Sequence, residues 1–303
     1  MKFLNPLLLV LVLLCISCSG DGESSFGLSN VLPSSTGSAD ELMFILPDNL
    51  NSSSTKKAIN QAFKKSYRIL PQEETIFNIS KVDFSAANSL MYRFRNIVLM
   101  AVSNQENGIL KMAKEVLSAK EFEELVNGEK QTFIIKNVWS KPQNVIFLFG
   151  KDAVDLQANL TASAPSIINH ITKTDLAAHK KIAYINGVNG KLKEQWQEFY
   201  NISLDIPSEF KLAENEGSFV SLRKDIPKGM IFIYFDVVSY SGKVPDVNYG
   251  ITLRNERGRY VSSSSLNSYM TTDSTLGFLQ TKTIKNQVIK YETSGLWRME
   301  NDF

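Results

Sequence analysis

Ile97-Val98-Leu99-Met100-Ala101-Val102 is apolar at every position. A strand with one face in water alternates apolar and polar residues, so this run reads as a central strand covered on both faces. Working outward, Glu41-Leu42-Met43-Phe44-Ile45-Leu46 is a second buried strand closed by the turn Pro47-Asp48-Asn49. A helix should follow, capped by Ser54 or Thr55, with Ala58, Ile59, Ala62 and Phe63 on one face. Ile76 to Val82 alternates as a half-buried strand does. Downstream, Met112, Val116 and Ala119, then Phe122, Leu125 and Val126, make one amphipathic helix that stops at Asn127-Gly128. Strands at Thr132 to Ile135 and Val145 to Phe149 complete a first half, 41–150.

From Asp152 to Tyr200 the pattern turns helical. Pro165, Asn186-Gly187 and Asn189-Gly190 interrupt it, which predicts two or three helices. Strands return at Phe210 to Leu212, Phe219 to Leu222, Met230 to Val238, Tyr249 to Leu253, Gly258 to Val261 and Val288 to Tyr291. Elements in this order predict an α+β fold: two related halves of roughly βαββαβ, ferredoxin-like character, with 151–303 supplying the helical connection and the second half. A fixed offset supports the relation between the halves. Phe63 to Pro71 overlies Phe199 to Pro207, and Arg95 to Ser103 overlies Ile231 to Ser239, without a gap. Strands 97–102 and 231–238 are therefore expected to be equivalent central strands.

The first residues give an address. One Lys precedes an apolar run of about ten residues, Leu7 to Ile16, too short for the roughly 30 Å of a bilayer's hydrocarbon and of signal-peptide length. Leu13-Leu14-Cys15-Ile16-Ser17-Cys18-Ser19 resembles a bacterial lipoprotein signal. Small Ser17 precedes Cys18 whereas bulky Leu14 precedes Cys15, so 1–17 reads as the signal and Cys18 as the lipidated residue. A diacylglycerol plus an N-terminal acyl chain, such as palmitate, suffices for stable anchoring. Ser19 in place of Asp resembles the pattern that directs such proteins to the outer membrane, on its periplasmic or surface face. Residues 18–40, rich in Ser and Gly, read as a flexible tether; about 20 such residues have an r.m.s. reach of about 25 Å.

Composition bounds the function. The 303 residues include 43% hydrophobic and 10% aromatic ones, ample for a packed core, and 33 basic against 31 acidic residues give a net charge of +2. No run of like charge marks a nucleic-acid partner. With Cys15 removed and Cys18 lipidated, no thiol remains for a disulfide, a metal or nucleophilic catalysis.

Leu32-Pro33-Ser34-Ser35-Thr36-Gly37 leading into Glu41-Leu42, Leu70-Pro71-Gln72-Glu73-Glu74, Arg95-Asn96-Ile97-Val98 and Gly295 to Phe303 resemble segments of the uncharacterised Bacteroidota lipoproteins of domain-of-unknown-function family 4837. The resemblance spans nearly all of the mature chain. It implies the envelope address and no activity. Chains of that family resemble this one but run on past the Asn301-Asp302-Phe303 segment, an expectation that this copy is C-terminally incomplete.

Chemistry-bearing patterns are sparse. His170 and His179, nine residues apart on one helix, point about 180° apart, so no metal or other cofactor is expected. Gly187-Val188-Asn189-Gly190-Lys191 lacks the spacer and the hydroxyl of a phosphate loop and reads as a turn, and no G-x-S-x-G occurs. Adjacent carboxylates at Glu73-Glu74 and Glu123-Glu124 point apart. Arg95, just before the buried strand, suits a salt bridge or an anion at a sheet end. Trp139 and Trp297 suit a stacking surface or the core. Glu73, Arg95, Trp139 and Trp297 are the candidate ligand residues. Asp273-Ser274-Thr275 resembles an O-glycosylation acceptor, with Ser274 as the modified residue. The expected function is a non-enzymatic envelope lipoprotein binding a protein partner or a small ligand; the alternative is an envelope enzyme with a carboxylate/Arg site at Glu73 and Arg95. A deep cleft of convergent Glu and Arg would favour the enzyme, and a shallow aromatic face would favour binding.

Overall fold

The computed structural model describes residues 32–66, 72, 74–216, 219–227, 229–237, 246–262, 267–275, 277–285 and 288–301. The first unit runs through β1 (Glu41–Leu46), α1 (Ser53–Phe63), β2 (Asn78–Asp83), β3 (Asn96–Val102), α2 (Gly108–Val116), α3 (Ala119–Val126), β4 (Thr132–Lys136), β5 (Asn144–Gly150) and α4 (Ala153–Ala183). Its sheet has the order β2-β1-β3-β5-β4, with β2, β1, β3 and β5 parallel and β4 antiparallel.

The period of two explains why β3 is apolar from Ile97 to Val102. Val98, Met100 and Val102 pack beneath α1 and α4 with Phe44, Phe63, Leu160 and Ile167. Ile97, Leu99 and Ala101 pack beneath α2 and α3 with Ile109, Ala113 and Leu125. All seven residues of β3 are buried, as are all seven of β5. Each helix begins on a side-chain oxygen that accepts a backbone N–H: Ser52 from Thr55, Asn107 from Leu110, Asp152 from Val154 and Asp155, and Ser118 from Glu121 in a reciprocal capping box.

The chain is thus mixed α and β, as expected, but the first unit does not have a ferredoxin-like arrangement. Helices cover both faces of a mainly parallel sheet. The twelve residues between β2 and β3 contain two short 3₁₀ turns and form a crossover to a parallel strand, where the linear order of elements suggested an antiparallel neighbour. The packing also moves the boundary between the halves. Leu156, Leu160, Ala164, Ile167 and Ile171 of α4 complete the first core, so this unit ends after the helix and not at residue 150. Pro165 does not divide α4. Both Pro165 and Thr161, whose carbonyl loses its helical donor, are exposed and open to water.

The second unit comprises α5 (Gly190–Tyr200), β6 (Lys211–Glu216), β7 (Phe219–Ile226), β8 (Gly229–Asp236), α6 (Val247–Gly258), β9 (Tyr269–Thr272), β10 (Leu279–Lys285), β11 (Val288–Ser294) and β12 (Trp297–Glu300). β6, β7 and β8 form an antiparallel meander, β9 pairs with β12, and β10 with β11. α5 seats Leu192 and Trp196 on one face of the meander, against Val220, Leu222, Ile233 and Phe235.

Two expectations fail here. Residues 249–253 and 258–261 belong to α6 and the turn after it. The alternation of Tyr249, Ile251 and Leu253 reads as a strand, but Asp246 accepts the Tyr249 N–H and starts a helix. Nor is β8 the counterpart of β3. Among the described residues it is an edge strand, exposed from Gly229 to Phe232 and half-buried beyond, so it is not the equivalent central strand that the duplication required. Among the described residues, no helix is long and apolar enough to cross a membrane.

Candidate functional site: an aromatic groove in the second unit

On β8, alternate residues face opposite ways. Ile233 and Phe235 lie on α5, with the Phe235 ring 4.2 Å from that of Trp196. Met230, Phe232, Tyr234 and Asp236 therefore share the other face, where Phe219 of β7, opposite Asp236 in register, joins them. The rings form a ladder: Phe232 to Tyr234 at 5.8 Å, Tyr234 to Phe219 at 5.8 Å, and Phe219 to Tyr260 at 4.8 Å. Facing this ladder are Gly250, Leu253, Arg254 and Arg257, which recur at helical spacing on α6. Val261, Met270 and Trp297 also line this groove, which has a volume of about 600 Å³. α6 comes close to β9 at Gly258, where a Cβ would lie 2.1 Å from the Met270 carbonyl oxygen.

The groove is open and apolar. Trp297 is 55% exposed, Met230 53% and Phe232 39%. Among the described residues, Asp236, Arg254 and Arg257 are the charged ones in its lining. Asp236 accepts from Nε of Arg257, and that bond raises the guanidinium's pKa above its usual value. Burial lowers the pKa of Arg254, whose Nη1 donates to the Leu296 carbonyl at 3.3 Å. Burial, followed by the charge of Glu214, raises that of the Tyr234 phenol.

The first unit offers a second location that is closed. Its strand order reverses between β1 and β3, and parallel sheets commonly bind ligands at the carboxyl end of such a point. Here Asn49 Nδ2 donates to Gln105 Oε1 at 3.3 Å, and Asn107 Nδ2 donates to the carbonyls of Val102 and Gln105. The Phe84 ring lies over Gly108, where even a Cβ would come within 2.0 Å of it.

The candidate residues named from sequence do not come together. Cys18 and Glu73 lie outside the described residues, and Glu74 is exposed. Arg95 donates from Nε and Nη2 to Oδ1 of Asp175 at 3.0 and 2.5 Å. Trp139 packs on the first unit's core with its ring 5.4 Å from that of Tyr92, whereas Trp297 lies in the groove. Ser274 is exposed beside the turn in which Asp273 accepts from Thr275. His170 and His179 both lie on α4, half-buried and exposed respectively. Among the described residues, no group of three or more His, Cys, Asp or Glu is placed to hold a metal.

Residues 35–184 match the family model described as Domain of unknown function (DUF8532), and residues 189–303 the one described as Domain of unknown function (DUF4837). The resemblance to family 4837 therefore holds for the second unit, and a different family model covers the stretches around Leu70 and Arg95. The gap between the two matches falls between the end of α4 and the start of α5, where the packed cores also divide. No curated protein and no solved structure matches the chain.

Proposed function

We propose that this chain is a lipid-anchored protein of the cell envelope, held to the outer membrane through Cys18, whose second unit binds a small ligand with an apolar body and without catalysis. The observation that carries the binding role is the open aromatic groove. An edge strand with Met230 and Phe232 in water is costly in apolar exposure, which a ligand seated on it removes. A volume of about 600 Å³ suits a small molecule. The enzyme alternative loses support because Arg95 is neutralised by Asp175. The anchor rests on the Leu13 to Ser19 stretch.

Binding is tested with the uncharged fluorescent probe N-phenyl-1-naphthylamine and the mature chain carrying Cys18→Ser, kept free of detergent. Probe emission should rise on binding and fall back in Trp297→Ala. No rise with folded protein contradicts the groove reading. Anchoring is tested by cell fractionation: Cys18→Ser should leave the membrane and Cys15→Ser should not. The reverse pattern moves the lipid to Cys15.

A further inference from the structure

We infer that the groove takes an amphipathic monocarboxylate, its apolar body on Met230, Phe232 and Trp297 and its carboxylate on the guanidinium of Arg254. This deepens the small-ligand reading above and rests on it. The charge pattern selects the ligand. Of the three charged residues in the lining among the described residues, Arg257 and Asp236 neutralise each other, which leaves the Arg254 charge unanswered among them. Arg254 uses one of its five N–H donors on the Leu296 carbonyl, and among the described residues no carboxylate pairs with it. A partly desolvated guanidinium without a counter-ion has lost hydration that a ligand carboxylate replaces with charge-assisted hydrogen bonds. The planar fork matches a carboxylate, whereas a dianionic phosphate would exceed the single available charge and meet Asp236. An uncharged apolar ligand would leave Arg254 buried further and still unpaired.

The test is displacement of N-phenyl-1-naphthylamine by octanoate and by octan-1-ol, which share an apolar tail and differ in charge. Octanoate should compete at about ten- to a hundredfold lower concentration, the span expected of hydrogen bonds to a charged group. Arg254→Gln should bring octanoate to parity with octan-1-ol and leave octan-1-ol unchanged, and Arg254→Lys should keep part of the preference. If Arg254→Gln does not fold, the octanoate preference of the native chain decides: it should shrink as ionic strength rises. Equal competition by the two compounds in the native chain, or a preference that survives in folded Arg254→Gln, overturns the inference and leaves the groove reading standing. Failure of the probe to bind at all overturns both.

Discussion

Arg95 carries a charge that the fold already answers. With side chains 17% and 12% exposed, the Arg95–Asp175 pair ties the start of β3 to the far half of α4. Removing one partner strands the other in a poorly hydrated position. Arg95→Met should cost about 3 kcal/mol by urea denaturation, and adding Asp175→Leu should recover most of it. Probe binding in the groove should not change in either variant. His170 supplies a pH dependence. Burial, then the charge of Lys136, lowers its pKa, and its buried Nε2 has no partner among the described residues. In this window the unfolded chain binds the proton more readily, so stability is full above the ordinary histidine value of about 6.5 and falls as pH drops below it. The urea midpoint should decrease from pH 7.5 to 5.5, and less so in His170→Gln. The carboxylates with lowered pKa, such as Glu121, act at lower pH and do not confuse the comparison.

At the scale of elements, apolar strands arise in two ways. β3 is apolar because helices cover both of its faces; β8 is apolar because α5 covers one face and the other lines the groove. A hydrophobic pattern registers apolar residues and not what covers them, which is why 231–238 read as a second central strand. The existence of β1, β3, β5 and α1 was legible from period, but the cap of α1 was not: it is Ser52, ahead of the Ser54 or Thr55 expected, both of which lie inside the helix. The pairing was not, because a parallel return through two 3₁₀ turns leaves no mark in the residue pattern that separates it from an antiparallel connection. Trp297 was legible as a stacking candidate. Arg254 was not, since it lies in a segment whose local alternation suggested a strand. The difference between core and lining is measurable. Phe232→Ala should cost less than about 1 kcal/mol and abolish probe binding, whereas Leu222→Ala, on the buried face, should cost about 3 kcal/mol. Gly150→Ala should also cost about 3 kcal/mol, because its Cβ would stand 2.2 Å from the backbone nitrogen of Leu156.

The whole molecule has cores that do not mix. The two clusters of the first unit draw on residues 42–171 and that of the second on residues 192–235. Phe44, edge-on to Phe63 at 5.2 Å, is central to the first. Phe44→Ala should therefore speed hydrogen exchange across β1, β3 and α4 and leave β7 unchanged. Under the proposed function, the first unit is a packed platform with its switch-point crevice shut, and recognition belongs to the second. Hydrogen–deuterium exchange of the Cys18→Ser mature chain with and without saturating octanoate tests that division most directly. Protection confined to 229–236, 247–258 and 297–300 is the predicted result. Protection at 46–50 and 102–108 instead, with the groove unchanged, would contradict it and place the ligand in the first unit.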